Sequence, residues 1–270
     1  MKSIKILVLV LVTLVSTYPL ANAVAADIHP QRWWSNSSYV AVDTTNKILF
    51  HTEVEYSYEA RSGNMEGAEH DGKFLIAIRK NHFTNYVMIR SNHYDYKIIP
   101  NNQEATQEQY KFDDILRFDL NRLFFLDAGF YVEKDTKKLL DTRTAVYGGL
   151  GIYTRLPFNV DLNVTIGAGN DTKKYSPVVP LDDESFVNLY YAISINYMIL
   201  PNLIFSSKMR LQHPTDDTEL YEFLSESKLM FPVTRNIALA YIFDWDVTNK
   251  PWPGVLRANT HQAAGIQIHF

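Results

Sequence analysis

From residue 47 onward the chain alternates apolar and polar side chains with a period of two, in runs of about ten to fourteen residues. In NVDLNVTIG, 159–167, Val160, Leu162, Val164 and Ile166 share one face, and Asn159, Asp161, Asn163 and Thr165 the other. In VNLYYAISINY, 187–197, Val187, Leu189, Tyr191, Ile193, Ile195 and Tyr197 oppose Asn188, Tyr190, Ala192, Ser194 and Asn196. Two further runs, LIFSSKMRL (203–211) and 237–247, repeat the pattern. A side chain flips faces at every step only in a strand, so this period predicts strands with one apolar face. Helical periodicity is scarce, and no later segment approaches the roughly 20 continuous apolar residues of a spanning helix.

Twelve strands are expected, at roughly 47–59, 71–80, 83–96, 108–119, 122–134, 140–154, 158–170, 185–198, 201–213, 218–231, 235–248 and 256–270. A tilted strand crosses a bilayer with about 9–11 residues, and these runs reach that length. The links after even-numbered strands are tight (KNH, DLNR, RLPF, LPN, FPVTRN), with Pro157, Pro201 and Pro232 among them. The links after odd-numbered strands are mostly longer and polar. Alternating link lengths mark an up-and-down sheet with one rim toward the periplasm and the other outward.

A soluble sandwich or soluble barrel would also alternate. Against it stand outward aromatics near the short-turn rim on many strands: Phe83, Phe118, Phe124, Tyr197, Phe205, Phe231 and Phe270. Rings at one depth belong to a membrane interface. The expectation is therefore all-β: a single up-and-down antiparallel transmembrane barrel of about 12 strands, residues 47–270, porin-like in build.

The start, MKSIKILVLVLVTLVSTYPLANAVAAD, has Lys2 and Lys5, an apolar stretch Ile6 to Val15 and a small-x-small site at Ala21-Asn22-Ala23. This reads as an export signal over 1–23, with cleavage as late as 26. Residues 24–46 are a short periplasmic segment, too short for a plug domain, in which Trp33 and Trp34 can anchor at the interface. The location implied is the outer membrane of a Gram-negative cell. Removing Lys2 and Lys5 leaves 24 basic against 30 acidic residues, a balance of −6. No basic block suggests nucleic acid, and without cysteine there is no disulfide or thiolate chemistry.

With the apolar face on lipid, the other face fills the bore. It carries Glu53, Glu55, Glu59, Lys73, Arg79, Lys111, Asp113, Arg117, Asp119, Asp127, Glu133, Arg143, Lys208, Arg210, Glu222, Glu226, Lys228, Asp244, Asp246 and Arg257. Buried charges need partners or water. Two readings stay open: a polar conduit for small solutes or ions, or an interior zipped by ion pairs that conducts nothing and serves structure or adhesion.

Gly148, Gly149 and Gly151, with Gly129 on the neighbouring strand, suggest a glycine-rich phosphate loop. No helix N-terminus follows, so a kink or close approach in the wall is expected instead. A lipid-modifying enzyme is the third class considered. Ser91, His93 and Asp95 share one face, but residues two apart on a strand lie about 6.6 Å apart along it, beyond proton-transfer reach. No catalytic residue is assigned. The acidic groups Asp216, Asp217, Glu219 and Asp182, Asp183, Glu184 match no calcium loop, so neither metal nor cofactor is expected.

The stretch FDDILRFDLNRLFFLDAGFYVEKDTKKLLDTRTAVYGGLGIYTR, 112–155, resembles the DUF481 family of outer-membrane proteins. The similar elements are Phe118-Asp119 before a tight turn, Glu133 with Asp135, Asp141-x-Arg143, and the Gly148–Gly151 cluster. Gly63-Asn64 matches a dipeptide of the family's first long loop. The resemblance implies a salt-stress-induced barrel of the outer membrane and carries no catalytic residues; an envelope-stress role goes with it.

The chain ends ANTHQAAGIQIHF. Ile266, Ile268 and Phe270 take the lipid parity, and Gly265, Gln267 and His269 the inward one. This strand must pair with 47–59, because an open edge cannot survive in lipid. The terminal Phe270 resembles the signal by which barrel-assembly machinery recognises its clients. Expected partners are thus that machinery, outer-membrane lipid and small solutes or ions.

Overall fold

The computed structural model describes residues 47–61, 65–98, 103–121, 123–156, 160–177, 182–200, 202–234, 236–249 and 257–270. The export signal, the 24–46 segment with Trp33 and Trp34, and Gly63-Asn64 lie outside the described residues.

The strands are β1 (Ile48–Arg61), β2 (Met65–Lys80), β3 (Phe83–Ile98), β4 (Gln103–Asp119), β5 (Phe124–Asp135), β6 (Leu140–Leu156), β7 (Val160–Tyr175), β8 (Glu184–Leu200), β9 (Leu203–Pro214), β10 (Glu222–Pro232), β11 (Ile237–Thr248) and β12 (Ala258–His269). Each pairs antiparallel with its sequence neighbours, and β12 pairs with β1, closing the barrel. The closing register sets Glu53 opposite His269 and Tyr58 opposite Ala264.

The links after β2, β4, β6, β8 and β10 span two to four residues, and local side-chain chemistry explains the described ones. Asn81 takes φ 53, a left-handed conformation that Asn tolerates. The Asn121 side chain accepts from the backbone N–H of Leu123 (2.7 Å) and Phe124 (2.9 Å). The Thr234 hydroxyl accepts from the N–H of Asn236 (3.2 Å) and Ile237 (3.0 Å).

The opposite rim differs from the sequence expectation. β1, β2 and β4 run past their expected ends, so the first two links on that side shrink to residues 62–64 and 99–102. Beyond the apolar belt both strand faces meet water, so the ladder continues while the alternation that reveals it disappears. β10 instead starts later, because the Asp217 side chain caps a turn, accepting from Glu219 N (2.9 Å) and Leu220 N (3.2 Å).

The outward parity is apolar nearly all round. Val146, Ile193, Leu239, Tyr241 and Ile266 are among many large apolar side chains left exposed. A belt this continuous is far larger than the patches soluble monomers expose. Phe83, Phe124, Phe231 and Phe270 are exposed toward the short-turn rim, and Phe83 packs on Phe118 at 4.7 Å between centroids. Polar pairs interrupt the belt: Asn85 Nδ2 donates to Asp114 Oδ1 at 2.6 Å, and the Ser207 and Ser227 hydroxyls lie 2.9 Å apart.

The glycines act by close approach. On β5, β6 and β7, rings lie against bare backbone: Tyr147 on Gly129, Phe125 on Gly151, and Tyr190 on both Gly149 and Gly167. A Cβ at any of these positions would collide with the ring it supports. Pairing an aromatic with a strand glycine restores packing that the glycine lacks. Near the short-turn rim, the apolar cluster Ile204, Met230, Ala240 and Ile242 fills the bore side of β9–β11.

Candidate functional site

The inward parity carries the charges into the bore, and distance from the short-turn rim orders them into levels. Closest to that rim is a filled layer. Arg117 is fully buried, bound to Asp127 through Nε (2.7 Å) and Nη2 (2.8 Å), with Nη1 donating to the Tyr153 hydroxyl at 2.6 Å. Its guanidinium stacks 3.9 Å from the Phe125 centroid, and Phe125 packs on Tyr153 at 4.6 Å. Arg79 donates to Asp119 at 2.9 Å. Met230 and Ile204 lie at the same end of the bore, on β10 and β9.

Above this layer lies a cavity of about 100 Å³ lined by Glu53, Tyr86, Met230, Gln267 and Lys228, among others. A larger cavity of about 590 Å³ follows toward the other rim. The two share Lys73, Met88, Asp113, Ile115, Lys208 and Glu226 as lining, so the cavities adjoin along β2–β4, β9 and β10.

Ion pairs cross this space between strands far apart in the barrel order. Lys73 on β2 meets Glu226 on β10 at 3.1 Å. Arg90 on β3 holds Asp71 at 2.6 Å and reaches Asp244 on β11 at 2.7 Å and Glu226 at 3.5 Å. Arg143 on β6 bonds Asp171 and reaches Glu222 on β10 at 3.0 Å, where Lys173 also binds. Lys228 pairs with Glu55. Lys111, by contrast, sits 3.6 Å from Glu133 on the neighbouring strand β5.

The link between β5 and β6 folds inward. Asp135 caps a 3-10 turn, Thr136–Lys138, accepting from Lys137 N and Lys138 N, and Leu139 closes it at φ 59. That conformation is costly for a branched side chain. It aims Lys137 at Glu69 on β2 (3.4 Å) and Lys138 at Asp246 on β11 (3.6 Å), the strand on the opposite wall. The mouth is thereby narrowed from within.

Among the described residues, Asp113, Lys208 and Arg210 line the larger cavity with no ion pair within 4.0 Å. Arg210 lies 5.8 Å from the Tyr131 ring centre. These are charges presented to the space itself. Of the sequence candidates, Glu53, Glu55, Lys111, Asp113, Arg117, Asp127, Arg143, Lys208, Arg210, Glu222, Glu226, Lys228 and Asp244 face the bore. Arg257 does not line it: β12 begins only at Ala258, and Arg257 is exposed at the rim, donating to Asn249 Oδ1 at 2.7 Å. Phe270 ends the chain with its N–H on Thr52 O (2.9 Å) and its ring exposed.

Parity alone gave no sign of Lys137 and Lys138, because the turn that carries them was read as an outer loop. The outward His93 also departs from expectation: its Nε2 stands 3.1 Å from Asp95 Oδ2. The side chains lean together across a spacing that the backbone rise alone would keep apart. Ser91 makes no hydrogen bond to either among the described residues, so the pair lacks a joined nucleophile.

A family model described as protein of unknown function, DUF481, matches residues 54–270. Among solved structures, the NanC porin superposes with a TM-score of 0.51 at 13% identity, covering 82% of this chain and 99% of the porin. An outer-membrane channel from Pseudomonas putida F1 superposes with a TM-score of 0.51 at 10% identity, covering 91% of this chain and 100% of the channel. Both likenesses are of fold. No curated protein matches the chain.

Proposed function

We propose that this chain, which belongs to the DUF481 family, is an outer-membrane barrel that passes small solutes or ions through a narrow bore. The carrying observation is the pair of adjoining cavities, where Asp113 and Lys208 line both spaces with no ion pair within 4.0 Å among the described residues, beside the Lys73–Glu226 pair. A barrel that served only as a wall would gain nothing from unpaired charges held around internal space, since each costs desolvation. The exposed apolar belt and the Phe83, Phe124, Phe231 and Phe270 rings support the membrane placement. In that placement the short turns face the periplasm. The leader at 1–23 delivers the chain, and Phe270 addresses it to the assembly machinery. Porin and channel neighbours of the same fold are consistent with this reading.

A second reading keeps the same barrel but closes it. The buried Arg117 layer and the pairs spanning the bore favour a non-conducting scaffold that works through its outer links in the envelope. Liposome swelling separates the two. Vesicles holding the refolded protein should swell in arabinose faster than empty vesicles and not in a trisaccharide. Swelling equal to that of empty vesicles for every solute and ion supports the scaffold.

A further inference from the structure

We propose that His51, Glu53 and His269 form a binding site for a zinc-class divalent cation across the seam where the barrel closes. The three residues come from the first and last strands. Thr52 N donates to Phe270 O at 3.2 Å and Phe270 N to Thr52 O at 2.9 Å, so the two strand ends are tied beside the trio. Glu53 faces His269 directly in the register, and His51 follows on the same inward parity.

One ligand atom from each residue lies within 4.8 Å of the other two. His269 Nδ1 is 3.6 Å, and His51 Nε2 4.0 Å, from Glu53 Oε2. Zinc bonds of about 2.0–2.2 Å in tetrahedral array set donors roughly 3.4 Å apart. The trio is therefore within small side-chain rotations of binding geometry. His51 and Glu53 are buried, so their positions are fixed by the wall rather than sampled in water.

The donor set gives the chemical class. Two imidazoles and a carboxylate suit zinc and its transition-metal neighbours and leave a fourth position open. Calcium and magnesium prefer all-oxygen shells. The lysines acting on Glu53, Lys228 and Lys73, are each engaged by another carboxylate, Glu55 and Glu226 respectively. A second trio, Glu59, Glu69 and His261, is less suited: Glu69 already receives Asn92 and Lys137. The seam site does not depend on whether the barrel conducts. A bound ion would pin the first strand to the last at the point where the fold is sealed.

The test uses the full barrel refolded in detergent, stripped with chelator and titrated by calorimetry with zinc or calcium. One zinc equivalent should bind, and calcium should not. His51→Gln and His269→Gln should each lower zinc affinity at least tenfold, and His261→Gln should not. Zinc should raise the urea midpoint of the wild type and of His261→Gln only. Zinc-edge X-ray absorption of the wild type should show two imidazoles, a readout independent of whether any variant folds. No zinc uptake by folded wild type, a zinc shell without imidazole pairs, or loss of binding only in His261→Gln would overturn the site.

Discussion

The guanidinium of Arg117 lies 3.9 Å from the centre of the Phe125 ring, and that ring rests on the bare backbone of Gly151. Backbone, ring and cation stack in sequence from the wall of β6 into the bore. The Asp127 carboxylate and Tyr153 hydroxyl fix the cation from its edge. A charge so deeply buried is held by its partners, and removing one leaves the other stranded.

Arg117→Ala should therefore destabilise the barrel by about 3–5 kcal/mol, the usual result of orphaning half a buried pair. Arg117→Ala with Asp127→Ala should lose less than the two single changes together, since no lone charge remains. Urea unfolding in detergent, followed by tryptophan fluorescence, measures both. Strict additivity would show that the pair is not coupled.

Gly151→Val should cost about 1–3 kcal/mol by overpacking against Phe125. Adding Phe125→Ala removes the obstacle, so the valine should cost less in that background. The same unfolding assay reads the difference. Equal costs in both backgrounds would mean that Gly151 serves the strand and not the ring.

The membrane placement distinguishes neighbours in the sequence. Ile193 is 41% exposed on the belt and Ser194 is 7% exposed on the cavity side. Ile193→Arg should lose about 2–4 kcal/mol in bilayers and fail to assemble into cells' outer membranes, whereas Ser194→Arg should assemble. Heat-modifiable gel migration reports folding of each. Indistinguishable behaviour would reverse the assignment of faces.

The unpaired Lys208 and Arg210 outnumber Asp113 in the larger cavity, so the bore should prefer anions weakly. Lys208→Glu with Arg210→Glu should turn the preference to cations. Reversal potentials under a potassium chloride gradient measure this, and an unchanged sign would remove these residues from the path.

The alternation of Ile193 with Ser194, or Ile266 with Gln267, made the faces legible in sequence, because lipid and bore impose opposite chemistries on adjacent residues. The tail's return to β1 was legible for a related reason: an edge cannot stay open in lipid. What lay across the bore was not legible. Parity states that Lys73 and Glu226 both face inward, but not that they meet, since that depends on the curvature of the whole sheet. The glycine cluster announced a close approach without naming Phe125, Tyr147 or Tyr190, which come from other strand positions. Leu139 gave no hint of its left-handed backbone, so the inward fold of Lys137 and Lys138 was missed. The polar strand extensions of β2 and β4 were missed because water on both faces erases the pattern.

Single-channel recording in planar bilayers tests the central claim most directly, with the wild type set beside Arg117→Ala/Asp127→Ala and Phe125→Ala. The account predicts small, discrete conductance steps from the wild type and larger steps once the buried Arg117 layer is thinned. Folded wild type and variants that all stay silent at every voltage and salt concentration would contradict it.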